Sequence, residues 1–216
     1  MNADKSAQAS VQITANLPLS QACENNKQPI LEVLQKELQD SQQVLEIGSG
    51  TGQHSVYFAP NLAHLQWHTS DVRANHWAIK AWHAAHPASN LQGPLAFDLA
   101  SDAFPNSPID TIAYDTVFTA NTLHIISWAL VEQLFRLVGE ALATDGKLII
   151  YGPFNEDGYY TSVGNQQFDA MLRQGNADSG IRDKEKVVAL ATMHGLTLQT
   201  SYQMPANNQL LVFQKQ

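Results

Sequence analysis

Residues 43–54, Gln-Val-Leu-Glu-Ile-Gly-Ser-Gly-Thr-Gly-Gln-His, constrain this chain more than any other stretch. A short apolar run ends at Glu46, passes at once into glycines at 48, 50 and 52, and meets residues compatible with a helix start. That order predicts a strand, a sharp turn and a helix N-terminus. Glycine is needed where the backbone must turn sharply and let a ligand approach where a Cβ would collide, and the free N–H groups beyond it face that ligand. A dinucleotide fingerprint would carry its third glycine at position 53, to seat a pyrophosphate on the helix dipole. Gln53 stands there instead, and the glycines follow GxGxG after an acidic residue.

With 216 residues and 44% hydrophobic content, the chain is long enough for one well-buried domain and short for two. Residues 1–16 are polar and without sustained period, and are expected to be a mobile tail; 17–216 are expected to be the single domain. The formal charge of −8 and the scatter of the twelve Lys and Arg residues leave no basic stripe, so duplex nucleic acid is not an expected partner. Cys23 is the single cysteine and cannot make an internal disulfide. No apolar run approaches the ~20 residues of a membrane span, and Met1 to Thr14 lack the marks of a secretory signal. A cytoplasmic protein is expected.

Along the chain, Ile30, Leu31, Val33, Leu34 and Leu38 predict a helix with Pro29 in its first turn. A short helix from Gln53 should stop at Pro60, and Leu65–Asp71 should be the second strand. Asp71 falls about twenty residues after the glycines, where such a unit places an acid against ribose hydroxyls; a helix cap is the other reading. Trp77, Ala78, Ala81, Trp82 and Ala85 predict a core-facing helix. Leu95–Leu99 reads as the third strand and its exit, Tyr114–Asn121 as the fourth strand, Leu130–Leu142 as a helix and Lys147–Phe154 as the fifth strand. Asn155–Asp183 is too long for an ordinary connection, so it is expected to be a lid holding a short helix. Lys184–His194 reads as the closing helix, and Thr197–Met204 with Leu210–Gln214 as a final hairpin.

The pattern Glu46-x-Gly48-x-Gly50-x-Gly52, with the hairpin, resembles class I S-adenosylmethionine-dependent methyltransferases. More closely, ENNKQPIL (24–31), LEIGSGTGQHSVYFA (45–59), NTLHI (121–125), YGPFNEDGYYTSVGNQQFD (151–169), GIRD (180–183) and MPANNQLLVF (204–213) are similar to the methyltransferase-like family catalogued as domain of unknown function 938. The resemblance implies an α/β, Rossmann-like doubly wound sheet of seven strands with the final strand antiparallel, an N-terminal helical lid and an insertion after the fifth strand. It implies S-adenosylmethionine as cofactor and S-adenosylhomocysteine as product. Glu46, Gly48, Gly50 and Gly52 would cradle its methionine and ribose part, with Asn26 near the amino acid end. Asp71 would take the ribose; Asp98 would take the adenine amine and the Leu99 N–H a ring nitrogen, although Asp98 also reads as a turn former beside Ser101 and Asp102. Asn121 closes the fourth strand beside the cofactor.

His124, Tyr151, Asn155 and Arg182 are the acceptor-side candidates. His124 would serve as a base or an orienting group, or as a structural histidine; Arg182 would fork onto an acceptor anion, or pair with Asp178 or Asp183 and brace the lid. Tyr159, Tyr160 and Phe168 suggest an aromatic-lined pocket for a small acceptor, or simply pack the insertion onto the domain. Six of the eight histidines lie between His54 and His86, yet no Cys or carboxylate completes a tetrad, so no metal is expected. The function implied is methyl transfer to an unidentified, small-molecule acceptor; the alternative is a cofactor-binding, catalytically silent interaction protein. Nothing in the pattern indicates an oligomeric state.

Overall fold

The computed structural model describes residues 17–107 and 113–216; the expected tail lies outside the described residues. In chain order the elements are α1 (Gln21–Glu37), β1 (Gln43–Ile47), α2 (Gln53–Asn61), β2 (Gln66–Asp71), α3 (His76–Ala85), β3 (Leu91–Ala96) and β4 (Thr116–Ala120). Then follow α4 (Trp128–Ala141), β5 (Lys147–Asn155), α5 (Val163–Gly175), β6 (Arg182–Asp183), α6 (Lys184–Met193), β7 (Leu196–Met204) and β8 (Asn208–Lys215). One sheet carries them in the order β3-β2-β1-β4-β5-β8-β7, with the two-residue β6 paired to the end of β5. β1 to β5 run parallel, and β8 lies antiparallel between β5 and β7. The chain winds outward from β1 to β3 and returns to β4 on the other side of β1. That reversal opens a crevice at the carboxyl ends of β1 and β4, where such sheets bind ligands.

All five residues of β1 are buried, because helices cover both faces of the sheet. Leu45 and Ile47 enter a core with α4 and α6, whereas Val44 points to the opposite face with α1, α2, Trp67 and Phe118. Among the described residues no helix is long and apolar enough to cross a membrane.

Local rules fail in three places. Pro29 sits in the middle of α1, not its first turn: Ser20 caps the helix eight residues earlier than expected, accepting from the Cys23 N–H at 3.4 Å. An interior proline costs roughly 3 kcal/mol; the turns before it are tied to α2 by the bonds of Ser20 and Glu24 to Gln53 and of Asn26 to His54. Pro60 likewise lies inside the last turn of α2. Trp77 is 66% exposed, not core-facing, and only Ala78 and Ile79 of α3 are buried. α3 meets α2 with Ile79 against Gly52, and that contact rotates Trp77, two residues away, outward. The helix of the insertion is also longer than expected, with thirteen residues.

Candidate cofactor site

A cavity of about 640 Å³ opens at the crevice, lined by the glycine loop, the ends of β2, β3 and β4, and the approach to α1. The three glycines all have positive φ but differ in what surrounds them. A Cβ at Gly48 would come within 2.9 Å of Thr122 Oγ1, and one at Gly52 within 3.0 Å of the Ile79 Cα. At Gly50 it would meet nothing within 4 Å. Gly48 and Gly52 therefore permit close packing, while Gly50 keeps the cavity open. Gly52 offers no side-chain cap, so the first N–H groups of α2 remain available.

Asp71, at the end of β2, has its carboxylate fixed on both oxygens. Oδ2 accepts from the Gly50 N–H at 2.7 Å, and Oδ1 accepts from the Val72 N–H at 2.7 Å and Asn75 Nδ2 at 2.9 Å. Two lone pairs per oxygen leave Oδ2 with capacity for one more donor. Asp98 does form the turn its neighbours suggested: Oδ1 accepts from the Ala100 N–H at 2.9 Å, and its own N–H donates to Asp102 Oδ2 at 2.8 Å. Its Oδ2 has no partner among the described residues, nor has the N–H of Leu99. Asn121 adopts φ 57 at the end of β4, held by its N–H on the Tyr151 carbonyl at 2.9 Å, and its carboxamide is free among the described residues. These groups line the same cavity. Together they bring two carboxylates, a backbone donor and an amide, each with unused hydrogen-bonding capacity, to the lining of one space.

The roof comes from Pro18, Ser20, Ala22 and Cys23. Gln53, nearly fully buried, holds it down: Oε1 accepts from the Ser20 N–H and from Thr51 Oγ1 at 3.0 Å, and Nε2 donates to Glu24 Oε1 at 2.7 Å. Trp82 Nε1 donates to the Pro18 carbonyl at 2.7 Å. His54 contacts Asn26 Oδ1 through Nε2 at 2.6 Å, and its Nδ1 lies 3.9 Å from Cys23 Sγ. Burial drives the His54 pKa down to about 4, so the ring is neutral, and pushes the Cys23 thiol up. Sequence reasoning passed over Gln53 as a functional residue, although its place where a dinucleotide site has glycine was the visible signal. It also passed over His54, Asn75 and Trp77, which line the cavity because of how α2 and α3 pack.

Of the expected cofactor residues, Gly48, Gly50, Asp71, Asp98, Leu99 and Asn121 line the cavity; Glu46, Gly52 and Asn26 stand behind its wall. The Glu46 carboxylate is buried on Trp67 Nε1 at 2.9 Å, and desolvation raises its pKa to about 7 despite that bond. None of the four acceptor-side candidates lines the cavity. His124 is buried with its ring edge-on to Phe168, and desolvation followed by the Arg182 charge lowers its pKa to about 4. Tyr151 is buried beside Asn26, Asn155 reaches Asp183 Oδ1 at 3.4 Å, and Arg182 is committed to backbone carbonyls. Tyr159 is 77% exposed and belongs to no pocket wall around the glycine loop. Among the described residues no cluster of three or more His, Cys, Asp or Glu is placed to hold a metal ion.

The strand order, the reversal at β1 and the antiparallel β8 define a Rossmann-like methyltransferase fold. Solved structures agree at the level of fold. An O-methyltransferase family 2 protein from Planctomyces limnophilus, in complex with apigenin, superposes with a TM-score of 0.76 at 15% identity over 100% of this chain and 62% of its own. An O-methyltransferase family protein from Burkholderia thailandensis gives 0.73 at 16% identity, over 88% of this chain and 56% of its own. Human N-acetylserotonin methyltransferase in complex with SAM gives 0.68 at 14% identity, over 88% and 54%. The chain thus spans little more than half the length of these structures. The family described as Protein of unknown function (DUF938) matches residues 17–215, and the chain belongs to it.

Proposed function

We propose that this protein binds S-adenosylmethionine and transfers its methyl group to a small-molecule acceptor, in the cytoplasm. The reading rests on one observation: Asp98, whose Oδ2 is unpartnered, Leu99, whose N–H is unpartnered, Asp71, which keeps spare capacity, and Gly50, where nothing stands within 4 Å of a Cβ, line a single cavity. Asp98 and Leu99 suit the amine and an adjacent ring nitrogen of adenine, Asp71 a ribose hydroxyl, and the start of α2 a carboxylate. Gln53 stands where a dinucleotide fingerprint carries its third glycine, which disfavours a dinucleotide. The cofactor supplies a methyl already activated on a sulfonium. The protein has then to hold the acceptor in line with it and keep water out, and proximity of this kind is worth ~7–11 kcal/mol. The small-molecule acceptor is favoured by the relative that holds apigenin and by the one named for N-acetylserotonin.

Calorimetric titration with S-adenosylmethionine and S-adenosylhomocysteine tests the cofactor claim. Micromolar binding, about −8 kcal/mol, is expected. Asp98→Asn keeps the turn through Oδ1 but replaces the free acceptor with a donor, and should weaken binding by about tenfold. Absence of binding to either ligand would sink the reading. A second reading, a cofactor-binding protein without turnover, is favoured by His124, Tyr151 and Arg182 lying outside the cavity wall. Methyl transfer from labelled cofactor to any member of a small-molecule panel would eliminate it.

A further inference from the structure

Four consecutive backbone carbonyls, those of Leu123, His124, Ile125 and Ile126, are each taken by a residue of segment 179–182. Ser179 Oγ donates to Ile125 O at 2.6 Å, the Gly180 N–H to His124 O at 2.9 Å, Arg182 Nε to Leu123 O at 2.9 Å and Arg182 Nη2 to Ile126 O at 2.5 Å. The segment is fixed from its other side. Ile181 N donates to Asp169 Oδ1 at 2.7 Å, Tyr160 and Arg173 hold the other Asp169 oxygen, and β6 pairs with the end of β5. Gly180 has φ 148, and a Cβ there would lie 2.3 Å from Arg173 Nη2 and 2.8 Å from Asp169 Oδ1, so a side chain would be strained and would displace the Arg173–Asp169 pair. The GIRD motif thus has a structural meaning: a close approach at Gly180, a backbone donor at Ile181 and a fork at Arg182.

The loop so held carries one wall of the cavity, through Asn121, Thr122, Ile125 and Ile126. Within itself and on β4 and β5 the loop is held by the Ile125 and Ile126 N–H groups on the Thr122 carbonyl, by Asn121 N–H on the Tyr151 carbonyl and by Thr122 Oγ1 with Thr119 and Ala120, and Leu123 enters the core; none of these bonds takes the carbonyls of 123–126. Leu123 and His124 are buried, so their carbonyls would lose about 1–3 kcal/mol each if left without donors. Arg182 has no carboxylate in ion-pairing range among the described residues; its guanidinium lies 6.0 Å from the Trp128 ring and gives three of its five donors to three carbonyls, the third being Asp178 O at 2.9 Å. Only a planar fork reaches divergent acceptors in this way.

We infer that Arg182, with Ser179 and Gly180, is a positioning residue for the cofactor-facing loop, so that the insertion after β5 sets how tightly the cavity holds its ligand. The affinity part of this rests on the function proposed above. The test combines calorimetry with S-adenosylhomocysteine, amide hydrogen exchange over 121–126 and thermal melts on the full chain. Arg182→Met should weaken binding by about tenfold and speed exchange at Asn121, Ile125 and Ile126, with Arg182→Lys in between. Tyr160→Phe, which loosens the segment only indirectly through Asp169, should weaken binding and speed loop exchange less than Arg182→Met does. A folded Arg182→Met with wild-type affinity and exchange overturns the inference, as does a Tyr160→Phe variant that binds as weakly as Arg182→Met. Should Arg182→Met fail to fold, Ser179→Ala decides: about a threefold loss supports positioning, and unchanged binding and exchange refute it. If the wild type binds no S-adenosylhomocysteine, the cofactor reading falls, and loop exchange in Arg182→Met alone decides whether the segment positions the loop.

Discussion

The two sides of the β1–β4 crevice use the same kinds of residue in opposite ways. On the β2–β3 side, Asp71, Asp98 and Leu99 keep hydrogen-bonding capacity that faces the cavity. On the β5 side, Asp169 accepts from Tyr160, Arg173 and the Ile181 N–H, and three of the five Arg182 donors go to backbone carbonyls; none of these groups lines the cavity, nor does Asn155, whose buried Oδ1 has no partner among the described residues. A polar residue type marks a candidate; unspent capacity pointing at open space marks a binding group. By that measure the β2–β3 half is the candidate for the cofactor site proposed above, and the insertion is its proposed brace.

The glycine pair gives the sharpest way to break this contrast. Gly52→Val forces a branched side chain at φ 87 against the Ile79 backbone, so it should cost at least about 3 kcal/mol in urea unfolding, or abolish folding. Gly50→Ala meets nothing within 4 Å; it should cost about 1 kcal/mol of stability for its left-handed backbone, yet weaken cofactor binding by about tenfold or more, because the methyl enters the cavity. Equal losses of stability in the two variants would dissolve the distinction between packing and binding glycines.

Buried charge separates the wall from the space in front of it through pH. His54, His83 and His124 have pKa values lowered to about 4, so the folded state binds fewer protons than the unfolded one below the usual histidine range. Their contribution is present above pH ~6.5 and is lost as pH falls toward 4. Glu46 runs the other way: with its pKa raised from 4.5 to about 7, its contribution is present below 4.5 and lost as pH rises to about 7. Glu46→Gln should therefore gain on the wild type between pH 4.5 and 7, by up to about 3 kcal/mol, and make acid unfolding steeper. Melts across that range that shift in parallel would contradict the burial of this carboxyl. The smallest effect is expected at the roof. Gln53→Ala removes its ties to Ser20 and Glu24 and should weaken cofactor binding by about threefold to tenfold, with faster exchange confined to residues 20–26.

Much of the fold was legible because it is local. Continuous apolar runs announced β1, β4 and β5, and the amphipathic spacing of Leu130 to Leu142 announced α4. The lining of the cavity was legible where register sets it: Asp71 closes β2 and Asp98 lies two residues past β3, and both line the cavity. Asn155 and Tyr151 were expected on the acceptor side, yet Asn155 reaches Asp183 and Tyr151 lies beside Asn26. Nothing in the spacing of Trp77 or Pro29 foretold their environments, since helix packing at Gly52 and the capping of α1 by Ser20 decide them.

The sequence by itself determined the glycine turn, the order of strands and helices and the acids at the strand ends, because backbone sterics and hydrophobic periodicity act over a few residues. Only the tertiary structure decided which polar groups stay unspent. The bonds that commit Ser179 and Arg182 to the β4–α4 loop join residues 54 to 59 positions apart. Pairing at that distance leaves no periodicity to read, and it exists only once the sheet has brought β4, β5 and β6 side by side.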